Sequence, residues 1–212
     1  MAGRSDGKHA GISARGNLIV VTGPSGVGKG TVVSRLLTDV PNLLKSVSVT
    51  TREKRPDETE GVDYFFRTHE QFYEMVENEE FLEWAEFAGN NYGTPKQWVV
   101  EQIHNGMDVI LEIEVHGAKQ IKDRSPEAIL IFLSPPSFEA LKERLKKRGT
   151  EKPAMMSLRL TKARQEMREK HLFHYEVVND NIDEAVNNLA HIVYAERCRI
   201  RENSRNEHDQ NS

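Results

Sequence analysis

Cysteine is all but missing from this sequence: Cys198 is the single one in 212 residues. An internal disulfide is therefore impossible, which fits a reducing compartment, and a chain of this length can bury a core that needs no such staple. With nothing to pair with, Cys198 reads as a buried or half-buried helix residue. Long apolar runs are also lacking. None approaches the roughly 20 residues that span a bilayer, so no membrane partner and a cytoplasmic location are expected. The net charge is only −4. That argues against general nucleic-acid binding, and an anionic ligand would have to meet local basic clusters. Residues 1–16 are polar and carry no apolar stretch of the kind a secretory signal needs, so they read as a disordered tail; residues 204–212 read as a flexible one. No internal repeat is visible.

What the sequence does have is one dense glycine stretch, Gly23-Pro24-Ser25-Gly26-Val27-Gly28-Lys29-Gly30-Thr31. Before it runs Leu18-Ile19-Val20-Val21-Thr22, which reads as a buried strand; after it, Val32 to Leu37 has helical spacing and is closed by Pro41. Strand, glycine-rich turn and helix is the setting of a phosphate-binding loop. The glycines let successive N–H groups converge on an anion, and the helix N-terminus adds positive potential. Lys29 would reach the β- and γ-phosphates as a point charge. One position departs from G-x-x-x-x-G-K-[ST]: Gly30 stands where a Ser or Thr would hold Mg²⁺, with Thr31 one residue on. By itself the loop says that a nucleotide is bound, and not what is done with it.

The rest of the chain alternates strand-like and helix-like segments. Ser46 to Thr50, Gly61 to Phe66 and Glu80 to Phe87 read as strands, and Thr68-His69-Glu70-Gln71 is a capping box before a helix with Phe72, Met75 and Val76 on one face. Asn91-Tyr92-Gly93 marks a turn, and Thr94-Pro95 starts a helix with a cap and a first-turn proline. Asp108 to Glu114 and Ala128 to Leu133 are strong strands, the second a continuous apolar run suited to burial on both faces. Ser134-Pro135-Pro136-Ser137 caps a helix with Phe138, Leu141 and Leu145 inward and Lys142, Arg144, Lys146, Lys147 and Arg148 outward. A charged helix follows over about 154–169, then a short strand Glu176 to Asn179, then a helix burying Ile182, Val186, Leu189, Ile192 and Val193. The alternation predicts a parallel, doubly wound α/β sheet in one domain.

Seven collinear segments are more specific than the loop alone: G-P-S-G-x-G-K-G-T, S-V-S-V-T-T-R-x-x-R-P, G-V-D-Y-F-F, E-F-L-E-W-A-E-F-A-G-N-N-Y-G-T-P, L-E-I-E-V-x-G, P-P-S and R-x-x-x-R-G-T. Together they resemble guanylate kinase, from about Gly16 to about Arg201. The resemblance implies a P-loop NTPase-type parallel sheet flanked by helices, with an inserted GMP-binding lobe and a helical lid. It divides a kinase domain of 17–203 into a core of 17–47, 96–136 and 171–203, a lobe of about 48–95 and a lid of about 137–170. It implies phosphorylation of GMP, and of dGMP, by ATP with Mg²⁺, in a monomer or weak homo-oligomer.

Residue by residue, the resemblance places ATP on Gly23 to Thr31 and beside Asn179, with Asn181 replacing a more usual acid. Arg52, Arg55, Tyr64 and Tyr92 fall on its GMP-phosphate ligands, a sensible set because guanidinium forks and phenols both donate to phosphate oxygens. Ser48, Glu83 and Thr94 match its guanine readers. A carboxylate offers two acceptors to the adjacent N1–H and N2–H₂ donors of guanine, whereas adenine would present an acceptor to it. The residues alone do not separate Glu83 from Glu79, Glu80 and Glu86, and Thr94 is equally a helix cap. Glu112 and Glu114 are its acidic pair, the first suited to Mg²⁺ through water and the second to GMP. Lys29, Arg144, Arg148 and Arg159 are its catalytic cations, and Thr31 its nearest hydroxyl for Mg²⁺. His116 beside the acidic pair lacks the partner spacing of a transition-metal site, and His171 and His174 read as helix-end residues. The rival readings are another P-loop nucleoside monophosphate kinase and a non-catalytic guanylate-kinase-like protein-binding domain.

Overall fold

The computed structural model describes residues 15–87, 89–147 and 153–200. The expected tails fall outside these residues except for Arg15 and Gly16, and so does Arg148. Gly16 is already part of the fold, its amide donating to Ile103 O at 2.9 Å.

The central strand is β1 (Leu18–Thr22), buried along its whole length. It pairs in parallel with β7 (Asp108–Glu112) and β8 (Ile129–Ser134); β2 (Leu43–Lys45) and β9 (Tyr175–Val178) add outside them, for a parallel order β2-β7-β1-β8-β9. Alternate β1 residues serve opposite faces, as the two-residue period of a strand requires. Ile19 and Val21 pack with α1 (Lys29–Asp39), α5 (Phe138–Lys147) and α7 (Ile182–Arg197) through Val33, Leu36, Leu141 and Leu189. Leu18 and Val20 pack with α3 (Lys96–His104) and α4 (Val115–Arg124) through Val99, Ile103, Ala118 and Ile121. Two covered faces explain why these strands are continuously apolar. All the strand ends that matter chemically, after β1, β7, β8 and β9, emerge on one edge, where open α/β sheets bind ligands.

A second sheet, β4-β3-β6-β5, is built from β3 (Val49–Thr50), β4 (Phe65–Phe66), β5 (Phe81–Phe87) and β6 (Asn90–Pro95). Helix α2 (His69–Glu77) covers it and seats Phe72 on Phe81, ring centroids 4.7 Å apart. Both bonds of the Thr68–Gln71 capping box form. The charged helix is α6 (Pro153–Arg168), followed by a 3-10 turn at Lys170–Leu172.

Several local expectations are corrected. Edge strand β2 carries no alternation and is only three residues long, too little for sequence reading. The strands expected at 46–50 and 61–66 shrink to two residues each, because 61–63 form a turn with Gly61 at φ +74°. Asn91-Tyr92-Gly93 is no turn but the middle of β6, hydrogen-bonded on both sides; the reversal lies at Gly89, φ +78°. Thr94 belongs to β6 and does not cap α3, whose flanking residue is Pro95. Strand β7 stops at Glu112, and Glu114 occupies the N-cap of α4. Cys198 is exposed, just past α7. His174 lies between the 3-10 turn and β9, its Nδ1 accepting the Leu130 amide at 3.1 Å.

Candidate active site

The loop between β1 and α1 is held open from behind. Gly28, the N-cap of α1, has φ +99°, a conformation that favours glycine, and a Cβ there would lie 2.8 Å from Asn179 Nδ2. Asn179 Nδ2 donates to Val27 O at 2.8 Å, and Arg144 donates to Val27 O at 3.4 Å and to Asn179 O at 2.8 Å. Arg144 therefore turns inward as a brace under the loop, not outward with Lys142 as expected. The first turn of α1 carries no acid and no side-chain cap, which leaves its N–H groups and dipole available to an anion. Lys29 Nζ donates to Gly23 O at 2.6 Å and lies 3.4 Å from Glu114 Oε1. Thr31 is exposed on that turn.

The acidic pair divides its work. Glu112 Oε2 accepts from Lys45 Nζ at 2.7 Å, and a Cβ at Gly30 would lie 3.2 Å from Glu112 Oε1. A side chain at position 30 would therefore require the Glu112 carboxylate to shift by a few tenths of an ångström. Burial alone would raise the Glu114 carboxyl, but Lys29 and Lys162 together hold it below its ordinary value. Lys162 on α6 reaches Glu114 Oε2 at 3.1 Å.

In the second sheet, a register shift between Phe81 and Glu83 breaks the in-out alternation, so Phe81, Leu82 and Glu83 are all buried. That bulge is what separates Glu83, 4% exposed, from Glu79, Glu80 and Glu86, which stay exposed. Thr94 Oγ1 donates to Glu83 Oε1 at 2.6 Å. Burial pushes the Glu83 carboxyl up to about 7, against the hydrogen bond from Thr94. On the other side stands Gly117, where a Cβ would lie 2.2 Å from Glu83 Oε2.

Arg52 and Arg55 gather around Glu58, at 2.7 and 3.9 Å. The hydrogen bond from Arg52 holds Glu58 below the ordinary carboxylate range. The Arg52 guanidinium also lies 5.4 Å from the Tyr64 ring centroid, and the Tyr64 and Tyr92 rings are 6.1 Å apart. Arg52, Arg55, Tyr64 and Tyr92 thus form one cluster, with Glu58 offering Arg52 the kind of oxygens a phosphate would. Ser48 precedes β3 and is half-buried. Arg159 is half-buried on α6. His116 is exposed in the first turn of α4, and no metal-binding group of three or more His, Cys, Asp or Glu occurs among the described residues.

Five residues beside these groups escape sequence reading: Lys45, Glu58, Gly117, Lys162 and Glu166. Glu166 is buried on α6, and its pKa is pushed up to about 7 by burial and by Glu114. Only Gly117 carried a signal, as the last glycine of L-E-I-E-V-x-G. A cavity of about 1030 Å³, lined by Val47, Phe65, Met75, Trp98 and Glu101 among others, contains none of these groups.

A family model described as guanylate kinase matches residues 15–196. The chain belongs to the guanylate kinase family. The guanylate kinase of Synechococcus sp. (strain JA-3-3Ab) is 51% identical over 182 residues, 86% of this chain and 84% of that one. That of Desulfitobacterium hafniense (strain Y51) is 48% identical over 88% of this chain and 93% of the other. The crystal structure of guanylate kinase from Anaplasma phagocytophilum aligns with a TM-score of 0.73 at 33% identity, covering 88% of each chain. The expected fold class, a P-loop NTPase-type parallel sheet flanked by helices, is the one found. No helix among the described residues is long and apolar enough to cross a membrane.

Because a Cβ at Gly117 cannot coexist with the present Glu83 carboxylate, Gly117→Ala is expected to displace it while the fold survives. The KM for GMP should rise about tenfold or more with the KM for ATP unchanged, measured by steady-state kinetics with each substrate varied in turn.

Proposed function

We infer that this chain transfers the γ-phosphoryl group of ATP to GMP, and to dGMP, giving ADP and GDP within purine nucleotide metabolism. One observation carries the reading. The first turn of α4 touches both halves of the site, with Glu114 at its N-cap against Lys29 and Gly117 three residues on against Glu83. A phosphate-binding lysine and a buried carboxylate suited to guanine thus meet the same helical turn from two sides. In this reading the core (17–47, 96–136, 171–203) holds ATP on Gly23–Thr31 with Arg144 and Asn179 as braces. The lobe (48–95) holds the GMP phosphate on Arg52, Arg55, Tyr64 and Tyr92 and the base on Ser48, Glu83 and Thr94. The lid (137–170) supplies Arg159 to the transferring group, and Arg148, outside the described residues, is assigned the same task by the resemblance alone.

The acceptor is a phosphate oxygen already ionised near neutral pH, so no general base is needed. Lys29 and the arginines act by position and by neutralising charge on the equatorial oxygens. Water competes as acceptor, so closure of lobe and lid over both substrates protects the γ-phosphoryl. For Mg²⁺ the available donors are hard oxygens, the Thr31 hydroxyl and Glu112 Oε1, the latter free of the Lys45 contact made by Oε2. When bound, the ion would offset β- and γ-phosphate charge and keep most of its water shell. Thr31→Ala is expected to raise the Mg·ATP requirement about three- to tenfold, leaving the KM for GMP unchanged; an unaltered Mg²⁺ titration would remove Thr31 from that role. The substrate assignment is tested by coupled ADP release with GMP, AMP, CMP or dTMP as acceptor. GMP should dominate, and equal rates, or none with GMP, would overturn it.

A further inference from the structure

We infer that Lys162 is a positioning residue that couples the ATP and GMP sites, tying the lid helix, the core and the lobe together through one ammonium group. The inference rests on the ATP–GMP reading above. Lys162 sits on α6, yet its contacts lie on three separate parts of the molecule. Its Nζ is 3.1 Å from Glu114 Oε2 at the N-cap of α4. It is also 4.1 Å from the ring centroid of Phe87, at the far end of β5 in the small sheet. On its own helix it lies 3.5 Å from Glu166 Oε1, one turn on.

The opposite oxygen of Glu114 faces Lys29 at 3.4 Å. One carboxylate is therefore shared by the P-loop lysine and the lid lysine. ATP phosphates draw Lys29 away from Glu114, and Lys162 then remains as its counterion. That keeps the lid helix docked on α4 at the moment the donor site fills. The face of Phe87 attracts the same ammonium through its ring quadrupole, so the contact forms only when the lobe is near the lid. GMP, which orders the lobe, and ATP, which releases Lys29, each favour the arrangement in which Lys162 is fully engaged. Two ligands that favour the same arrangement tighten each other's binding.

Glu166 has no other evident task. It is 6% exposed, and its Oε2 is buried without a hydrogen-bond partner among the described residues. A carboxylate withdrawn from water one turn from Lys162 limits where that side chain can point. Neither residue is itself an expected substrate contact; Lys162 reaches one of them, Glu114, so their effect passes through Glu114, Phe87 and the set of the lid.

Calorimetric titration of a non-hydrolysable ATP analogue, with and without saturating GMP, tests the coupling. In the wild type GMP should tighten the analogue at least about fivefold. In Lys162→Met, which keeps the apolar stem and removes the charge, the factor should fall to near one, while each ligand alone binds within about twofold of wild type. Lys162→Arg should restore most of it, and Phe87→Leu should lose part of it without adding to Lys162→Met. Unchanged coupling in Lys162→Met, coupling absent from the wild type, or an Arg variant as impaired as the Met variant would overturn the inference. A wild-type protein that binds the analogue but not GMP would instead overturn the substrate reading on which it rests.

Discussion

Lys29→Ala should lower kcat for GMP phosphorylation by about 10³-fold while leaving GMP binding within about twofold of wild type. Lys29 places its ammonium between the loop carbonyl of Gly23 and the acidic N-cap of α4, at 2.6 and 3.4 Å. In the proposed reading both contacts stand in for phosphate oxygens, and neither partner belongs to the second sheet. Removing the side chain deletes charge stabilisation that grows as the γ-phosphoryl departs, which is why the loss falls on kcat. Arg52, Tyr64, Tyr92 and Glu83, the GMP contacts proposed above, keep their own protein contacts. Glu114 keeps Lys162 as a counterion, so the variant is expected to fold normally. Stopped-time assays for kcat and fluorescence titration for GMP affinity separate the two effects.

Glu83→Gln should lower kcat/KM for GMP by about 10²–10³-fold and raise the relative use of AMP. The carboxylate is buried beside Thr94 and Gly117, so it cannot be replaced by water. Glutamine turns one of its two acceptors into a donor, which faces a guanine donor and suits the adenine N1 acceptor instead. The pH dependence follows from the same burial. The Glu83 pKa in the folded protein is raised from 4.5 to about 7. Folding then takes up a proton between those values. The stability tied to this group is full below about pH 4.5 and is lost as pH rises through about 7. In the proposed reading guanine recognition needs the ionised form, so it should strengthen over the interval in which stability declines. Glu83→Gln should flatten both trends, leaving the shares due to Glu166 and to the substrate phosphate; melting curves and GMP titrations from pH 5 to pH 8 check this.

The sheet core was legible because burial on both faces writes itself as unbroken runs such as Leu18–Thr22 and Ile129–Ser134. The phosphate loop was legible because glycines at fixed spacing have few other uses. The second sheet was harder to read. Its strands are two to seven residues long, and Asn90–Pro95 is extended because it pairs with strands on both sides, despite an Asn-Tyr-Gly composition that favours turns. The distinction of Glu83 from its neighbours depends on a bulge that no local pattern announces. Lys162 and Glu166 sit in a helix whose charged residues look alike in sequence. Only the packing of α6 against α4 and β5 picks them out. The outward placement of Arg144 failed for the same reason, since a basic helix face looks solvated until the loop it braces is in place.

In the proposed reading, donor and acceptor halves of one site meet across the first turn of α4. Chromatographic measurement of all products from equimolar ATP and GMP tests it most directly. ADP and GDP should appear in equal amounts, with negligible inorganic phosphate and with both products lost together in Lys29→Ala. ADP accompanied by phosphate and no GDP would show a phosphate loop without an acceptor site, and would contradict the account.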